Sequence, residues 1–515
     1  METATLTIDP AFTVAPVNRR LFGSFVEHMG RCVYTGIYEP GHPSADADGF
    51  RTDVLELVRE LGVSLVRYPG GNFVSGYDWQ DGVGPREQRP RTAELAWQTV
   101  ESNQVGTDEF LAWCGRAGVE PMLAVNLGTR GVAEAVALLE YCNAETGTRY
   151  ADLRAANGHP EPYGVRIWCL GNEMDGPWQI GNRSPQEYAG LAEQAARAMK
   201  RLQPDLELVA CGSSGPRIAT FGQWESEVLQ RCGEVAEHIS LHAYYGPHGD
   251  LDSFLACSAD MERYIHAVVA TADAVAARRQ SRTRTTLSFD EWNVWFAVGG
   301  SEETTDPDDD VSTALRSPDA PQRLAEDAYG PIDAVVVGSM LMVLLRNADR
   351  VAMACLAQLV NVIAPIMTEP GGPAWRQSIF HPFALTSRHA RGTVLQTASH
   401  GPTIDTPAWG RVDQLLSTAT WDSESGDLAI WLVNRSPAEP LQVQIQLADA
   451  AAHATPWHLR EHLTLSDGSA DASGDRRDAP APTRVQTTTV ADRTVRCTLP
   501  AGSWHLVRLA QSPTA

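Results

Sequence analysis

Short apolar runs of four to seven residues recur between residues 21 and 364, and longer segments with helical periodicity separate them. Runs of this length fit strands buried in a sheet, and their alternation with helices is typical of repeated βα units. We predict eight strands, at Phe22–Val26, Ser64–Tyr68, Pro121–Asn126, Arg166–Leu170, Glu207–Cys211, Ile239–His242, Thr286–Phe289 and Val351–Ala357. Eight such units predict a (β/α)8 TIM barrel. An open doubly wound sheet is the alternative, but the sequence lacks the glycine-rich phosphate turn expected there.

The helical segments between these strands have recognisable patterns. Thr52–Leu61 and Pro185–Arg201 are amphipathic, and Ser184 is a suitable N-cap for the second of them. The longest apolar stretch, Ala334–Leu345, is shorter than the roughly 20 residues that cross a bilayer. We therefore expect it to be a buried helix, and we expect no membrane association.

Beyond about residue 385 the helical spacing stops and strand-like alternation replaces it. Three runs alternate most clearly: Leu428–Val433, Leu441–Leu447 and Val495–Leu499. Ala4–Ile8 alternates in the same way and is expected to pair with them. The pattern predicts a barrel over residues 17–385 and a jelly-roll-like β-sandwich formed by residues 1–16 and 386–515.

Two segments predict loops. Ser466–Pro482 is rich in Gly, Ser, Asp and Pro and lies within the predicted sandwich. Ser301–Pro321 contains an acidic cluster at Asp306–Asp310, which we interpret as a solvated surface.

Composition narrows the class of protein. Hydrophobic residues make up 43% and charged residues 20% of the 515 residues, which is typical of a globular protein. The formal net charge of −23 repels polyanions, so nucleic acid is not an expected partner. The nine cysteines include no C-x-x-C pair, and we expect buried, reduced thiols. Glu2 and the absence of an apolar run near it do not fit a secretory signal, so we expect a cytoplasmic protein.

Carboxylates follow two of the predicted strands. In a (β/α)8 enzyme the catalytic groups project from the carboxyl ends of the strands. Glu173 follows the fourth strand within GNEMDGPW, and Glu291 follows the seventh within DEWNVW. Either glutamate by itself could equally be a salt-bridge or capping residue, but two at the same barrel mouth are harder to explain structurally.

Such a pair suits glycosidic cleavage. One carboxyl group protonates the leaving oxygen while the other attacks the anomeric carbon, and retaining enzymes hold the two groups about 5 to 5.5 Å apart. We therefore interpret Glu173 as the general acid/base and Glu291 as the nucleophile of a retaining glycoside hydrolase.

Six segments carry a family resemblance. They are GSFVEHMGRCVYTGIYEPGHP (23–43), RYPGGNFVSGYDWQDGVGP (67–85), GNEMDGPWQIG (171–181), SLHAYY (240–245), SFDEWNVW (288–295) and CLAQLVNVIAPI (355–366). In this order they resemble the α-L-arabinofuranosidases of glycoside hydrolase family 51. The resemblance implies release of terminal arabinofuranosyl residues from arabinan- and arabinoxylan-derived oligosaccharides. It also implies a barrel with a sandwich, no cofactor, and assembly as hexamers.

The resemblance further implies a set of sugar-binding positions. Glu27 and Asn72 would hold furanose hydroxyls, Asn172 would lie near the 2-hydroxyl, and Gln358 would reach in after the eighth strand. Tyr244 would bind the nucleophile. The remaining members are the pocket walls Trp97 and Trp295 and the supporting polar groups Arg67 and His242.

Structural alternatives exist for several of these residues. Glu27 could cap a strand, Asn72 could stabilise a turn, and Gln358 could be a buried structural amide. Trp97, which we interpret as lying on or beside a helix, could be a core residue. His242 could support the carboxylates without contacting sugar. Three features depart from the family pattern: Ala243, Phe296 and an enlarged loop over 301–321.

Other activities remain open on the sequence. The same frame could carry a β-xylosidase or an endo-glucanase specificity. A carbohydrate-binding protein without activity would be expected to lack one of the two glutamates, and both are present. A metal-dependent hydrolase is disfavoured because no H-x-H pair ends a strand.

Overall fold

The computed structural model describes residues 2–297, 322–448, 456–466, 479, 481–491 and 493–511. All of the predicted acidic loop 301–321 and most of the predicted loop 466–482 lie outside these residues, so both stay predictions.

Strands run through both halves of the described chain. They are β1 (Glu2–Pro16), β2 (Gly23–Phe25), β3 (Leu65–Tyr68), β4 (Thr92–Glu94), β5 (Thr99–Glu101), β6 (Glu120–Ala124), β7 (Ile167–Leu170), β8 (Glu207–Ala210), β9 (His238–Tyr245), β10 (Thr286–Val294), β11 (Val351–Leu356), β12 (Ile366–Thr368), β13 (Ala374–Arg376), β14 (Thr393–His400), β15 (Thr403–Thr406), β16 (Gly410–Asp413), β17 (Leu415–Asp422), β18 (Asp427–Asn434), β19 (Leu441–Leu447), β20 (Trp457–Ser466), β21 (Thr483–Arg484), β22 (Thr489–Ala491), β23 (Thr494–Leu499) and β24 (Ser503–Gln511).

Helices are concentrated between residues 52 and 389. The α-helices are α1 (Thr52–Leu61), α2 (Thr107–Ala117), α3 (Val132–Asn143), α4 (Arg149–Ala156), α5 (Pro185–Leu202), α6 (Gln223–Cys232), α7 (Leu251–Ala256), α8 (Ser258–Arg279), α9 (Pro331–Arg346) and α10 (Phe380–His389). Short 3-10 helices cover Arg19–Phe22, Asn72–Ser75, Trp79–Gly82 and Arg86–Gln88. Among the described helices, none is both long enough and apolar enough to cross a lipid bilayer.

Eight parallel strands close into a barrel in the order β2, β3, β6, β7, β8, β9, β10, β11. The last strand pairs with the first, since Cys355 and Leu356 face Gly23 and Ser24. These are the eight strands predicted from the apolar runs, so the (β/α)8 barrel is confirmed. All parallel strands end at one face of the barrel, and the loops that follow them there surround the candidate site.

The predicted helix ends follow from local chemistry. The Ser184 hydroxyl accepts a hydrogen bond from the Glu187 backbone N–H, and Glu187 in turn binds the Ser184 N–H. This reciprocal cap and Pro185 at the first helical position start α5 as predicted. The apolar stretch Ala334–Leu345 lies inside α9 and is buried throughout, as predicted.

The strands after the barrel form the predicted C-terminal β-sandwich. Ten strands pair in the order β21, β20, β24, β18, β17, β14, β1, β19, β23, β22. The N-terminal strand β1 lies between β14, to which it is antiparallel, and β19, to which it is parallel. Its alternate residues Ala4, Leu6 and Ile8 are fully buried in the sandwich core. The pairing expected for Ala4–Ile8 is therefore confirmed. The domain limits stay a prediction, and the one placed at residue 385 lies inside α10.

All nine cysteines are buried and unpaired, as expected. Burial raises the pKa of their thiols, for example to about 12 at Cys32, so they are present as neutral thiols near pH 7.

Candidate active site

The two predicted catalytic glutamates lie at the carboxyl ends of β7 and β10. Glu173 comes three residues after β7 and has a positive φ of 42°, a backbone conformation that non-glycine residues rarely adopt. Glu291 lies within β10, where the register against β9 shifts between Ser288 and Glu291. Such an irregularity re-aims the side chains of a strand, and here it accompanies a carboxylate that faces the barrel mouth.

The two carboxylates are close but have different partners. One oxygen of each, together with a ring nitrogen of His242, lies within 4.8 Å of the others. Glu291 accepts hydrogen bonds from Arg67 at 2.8 Å and from the Tyr244 hydroxyl at 2.7 Å. Glu173 accepts one from His242 Nδ1 at 2.8 Å. Carboxylate oxygens this close agree with the separation of about 5 to 5.5 Å between the two carboxyl groups of retaining hydrolases.

His242 connects both carboxylates to a third one beneath them. Its Nε2 lies 2.9 Å from Asp290 Oδ1, and its Nδ1 lies 3.6 Å from Glu291 Oε2 in addition to the contact with Glu173. Burial by itself lowers the pKa of His242. The charge of Glu291 and the hydrogen bonds to Asp290 and Glu173 outweigh burial and raise the pKa well above its usual value.

Glu173, His242 and Glu291 are also close enough together to be considered as metal ligands. A metal needs a free lone pair on the imidazole. Both nitrogens of His242 face carboxylate oxygens, and its raised pKa keeps a proton on each. The donor set therefore fits a hydrogen-bonded acid–base cluster better than a metal centre.

Glu27 is a fourth carboxylate in the site. Its Oε1 accepts hydrogen bonds from the Phe73 backbone N–H and the Trp97 indole N–H, each at 3.0 Å, and its Oε2 accepts one from the Gln358 amide at 3.1 Å. Burial and the nearby charge of Glu291 outweigh these bonds and raise the pKa of Glu27 to about 8. Glu27 is therefore neutral in most molecules near pH 7.

Trp97 does not lie on a helix, and the prediction of its setting was wrong. It is in the tight turn of a β-hairpin between β4 and β5. The Glu94 carboxylate accepts the backbone N–H groups of Ala96 and Trp97, each at 2.7 Å, and thereby fixes this turn. Because each strand of the hairpin has three residues, the sequence offers too few positions to show a two-residue period.

The hairpin is tied to the barrel through a buried hydrogen-bonded contact between Glu101 and His28. Glu101 on β5 lies 3.0 Å from His28 Nδ1, and it also accepts the Tyr34 hydroxyl and the Asn103 backbone N–H. His28 directly follows Glu27, so adjacent residues serve the cavity and the hairpin.

A cavity of about 750 Å³ opens at this face of the barrel. Nine of the eleven predicted site residues line it: Glu27, Asn72, Trp97, Glu173, His242, Tyr244, Glu291, Trp295 and Gln358. Arg67 and Asn172 are buried behind this wall and bind each other at 2.5 Å. The Trp295 ring packs edge-to-face on Tyr244 with centroids 5.4 Å apart.

Two buried amide groups at the site have an unsatisfied atom. Asn172 Nδ2 and Gln358 Oε1 have no hydrogen-bond partner among the described residues. Such orphaned groups are rare in protein interiors, and a sugar hydroxyl in the cavity could donate to Gln358 Oε1, because Gln358 lines the cavity.

Sequence reasoning missed two residues that contact predicted site residues. Asp290 binds His242, and the Trp178 indole donates to Glu173 Oε2 at 2.7 Å. Both stand in the motifs that identified the glutamates. Asp290 directly precedes Glu291 in the same buried strand. Two adjacent acidic residues in a buried strand were the sequence signal that could have identified Asp290.

Comparison with known proteins identifies related chains. Residues 57–263 match the family model described as alpha-L-arabinofuranosidase 1 domain, and residues 290–503 match the one described as alpha-L-arabinofuranosidase C-terminal domain. The chain is 53% identical over 517 residues to an intracellular exo-α-(1→5)-L-arabinofuranosidase of Streptomyces lividans, covering 99% of this chain and 76% of that protein. It is 48% identical over 524 residues to an exo-α-(1→6)-L-arabinofuranosidase of Bifidobacterium longum, covering 99% and 98%.

Solved structures agree with these relatives. A family 51 α-L-arabinofuranosidase from Bifidobacterium longum superposes with a TM-score of 0.90 at 45% identity, covering 99% of both chains. The arabinose complex of an α-L-arabinofuranosidase from Thermotoga maritima gives a TM-score of 0.82 at 31% identity, covering 99% of this chain and 100% of that one.

Proposed function

Since this chain belongs to glycoside hydrolase family 51, the α-L-arabinofuranosidases, we propose that it releases terminal non-reducing α-L-arabinofuranosyl residues by double displacement at Glu173 and Glu291. The observation that carries the assignment of roles is the pair of carboxylates within 4.8 Å, each with its own set of hydrogen-bond donors, in one cavity. Arabinan- and arabinoxylan-derived oligosaccharides are the proposed substrates.

In the first step Glu291 attacks the anomeric carbon and Glu173 gives its proton to the departing glycosidic oxygen. The bond between carbon and the leaving oxygen breaks, and its electron pair stays on that oxygen. An ester between Glu291 and the arabinosyl group results. Arg67 and Tyr244 hold Glu291 through both of its oxygens and thus fix the direction of its attack.

In the second step Glu173, now ionised, removes a proton from water, and the water oxygen attacks the anomeric carbon. Glu291 leaves as a carboxylate, and arabinose is released with the configuration of the substrate. His242 donates from Nδ1 to Glu173 Oε1 and from Nε2 to Asp290, and so keeps the acid/base in place in both steps.

The sugar-binding roles belong to the same proposal. Glu27, Asn72, Asn172 and Gln358 would bind the furanose hydroxyls, and the rings of Trp97 and Trp295 would enclose the sugar. The orphaned Oε1 of Gln358 supports this assignment, since Gln358 lines the cavity and a bound sugar hydroxyl would supply the missing donor.

The testing experiment compares 4-nitrophenyl α-L-arabinofuranoside with the β-D-xylopyranoside and β-D-glucopyranoside analogues. We expect strong preference for the arabinofuranoside. Turnover of another glycoside without release from the arabinofuranoside would contradict the proposed substrate but would leave the proposed mechanism standing. Product analysis by NMR should show retained anomeric configuration in the first turnovers, whereas inversion would contradict the double displacement.

Two variants separate the roles of the glutamates. Glu291→Ala should abolish turnover of every substrate. Glu173→Ala should lose activity on glycosides with poor leaving groups and keep much of it on 4-nitrophenyl substrates, which depart without a proton. Glu56→Ala, which changes an exposed carboxylate on α1, is the matched control. Equal losses for the two active-site variants on all substrates would contradict the assigned roles.

Cytoplasmic location and a hexameric assembly stay predictions. The first is supported by the names of relatives, several of which are described as intracellular. Light scattering on the purified protein would measure the second against a chain mass of 55.9 kDa.

A further inference from the structure

The two oxygens of Glu173 face different surroundings. Oε1 is bound by His242, which is 2% exposed and rests on the buried Asp290. Oε2 is bound by the indole of Trp178, which is 54% exposed and lines the cavity. Oε2 is therefore the oxygen on the open side, where a leaving group must depart.

The chain returns to Glu173 through a tight turn. The Gly176 backbone N–H donates to the Glu173 carbonyl at 2.8 Å, and two residues later the indole lies over this turn. A Cβ at position 176 would lie 2.6 Å from Trp178 Cε2, so only glycine leaves room for the indole in this place.

We propose that Trp178 is a positioning residue that holds Glu173 Oε2 for proton delivery to the leaving oxygen. An indole N–H donates and never accepts, so it does not compete for the proton that Glu173 carries. When that proton moves to the glycosidic oxygen, negative charge develops on Glu173. The Trp178 hydrogen bond then becomes charge-assisted and stronger. Its contribution is thus larger in the transition state than in the ground state, which is the condition for accelerating the step.

This inference rests on the proposed function, because it assigns Trp178 a part in the proton transfer by Glu173. It predicts a loss that depends on the leaving group. A 4-nitrophenolate leaves without a proton, whereas an alkoxide requires one. Methyl α-L-arabinofuranoside is the sharper probe, since methanol has no ring that could stack on Trp178.

Trp178→Phe keeps an aromatic ring and removes the N–H. We expect kcat/KM for methyl α-L-arabinofuranoside to fall roughly tenfold, the weak end of what a hydrogen bond to a charged group contributes. For 4-nitrophenyl α-L-arabinofuranoside we expect a change of about twofold or less. Gly176→Ala leaves Trp178 in the chain but displaces its ring, and it should give the same pattern.

Trp295→Phe is the matched control, since it removes the same group from another ring of the cavity. Trp295→Phe should change kcat/KM for both substrates by a similar factor. Circular dichroism and Tm should show that all variants fold, which the exposure of Trp178 favours. Equal losses on both substrates for Trp178→Phe and Gly176→Ala, or no loss on the methyl glycoside, would overturn the inference. If the wild-type protein cleaves neither arabinofuranoside, the proposed function itself fails.

Discussion

Glu27 offers a test of how charge is distributed in the active site. Its side chain is 2% exposed, and its pKa is raised from an ordinary value of 4.5 to about 8, chiefly by burial and further by the charge of Glu291. In the unfolded chain the same group ionises near 4.5. Between pH 4.5 and 8 the native state therefore holds a proton that the unfolded state has lost, so the free energy of unfolding decreases as the pH rises.

Glu27→Gln removes this effect because an amide does not ionise. The interval from 4.5 to about 8 spans roughly 3.5 pH units, and each unit corresponds to about 1.4 kcal/mol. The free energy of unfolding of the variant, relative to the wild type, should increase by roughly 3 kcal/mol between pH 5 and 7, and by about 5 kcal/mol over the whole interval. A glutamine is accommodated, since Gln358 Oε1 has no partner and can accept the new N–H after an amide flip.

The assay is urea denaturation followed by tryptophan fluorescence at pH 5, 7 and 9, for the wild type, Glu27→Gln and the exposed control Glu56→Gln. The difference between Glu27→Gln and the wild type should grow up to about pH 8 and then stay constant. A difference independent of pH would refute the reasoning, because it would mean that Glu27 is ionised in the folded protein. If the difference grows with pH as expected, Glu27 is neutral in the folded protein. Glu291 is then the negative charge closest to the anomeric carbon.

Three other buried groups, a histidine pair and a glutamate, lead to predictions. Burial lowers the pKa of His462 to about 4, and burial together with the charge of His462 lowers that of His505 well below its usual value, so below pH 6.5 the unfolded chain binds protons that the sandwich does not. The free energy of unfolding should therefore fall by roughly 3 kcal/mol per pH unit for the pair between pH 6.5 and 4.5, and Tm should drop steeply over this range. A double glutamine variant should lose that slope. Glu101→Gln breaks the buried contact with His28 that anchors the Trp97 hairpin; KM for the arabinofuranoside should rise severalfold with a smaller change in kcat, and an unchanged KM would contradict the anchoring role.

The barrel could be predicted because each of its strands is buried and reads as an apolar run. Ile167–Leu170, for example, has four buried residues in succession, and polar residues begin directly after it. Glu173 and Glu291 could be placed at one site for the same reason, since the ends of parallel strands in a closed barrel meet. Long family motifs then supplied roles that no spacing within the chain reveals.

The remaining part of the site depends on contacts between distant segments. Gln358 reaches Glu27 across 331 residues of sequence, and Glu101 reaches His28 across 73. No local period encodes such pairs. Trp178 was also obscured by its exposure, because a half-exposed tryptophan in a polar loop has no pattern that distinguishes it from a surface residue.

The position of β1 has a consequence for synthesis of the protein. This strand is translated long before its partners, because β14 begins at Thr393 and β19 at Leu441. At roughly 5 to 20 residues per second, about 20 to 80 seconds pass on the ribosome between the synthesis of β1 and that of β14. During that time Ala4, Leu6 and Ile8 have no sheet to enter, while the whole barrel is being translated. The nascent chain must therefore keep the edges of this strand unpaired until β14 and β19 emerge, and chaperone demand should be greatest in that interval.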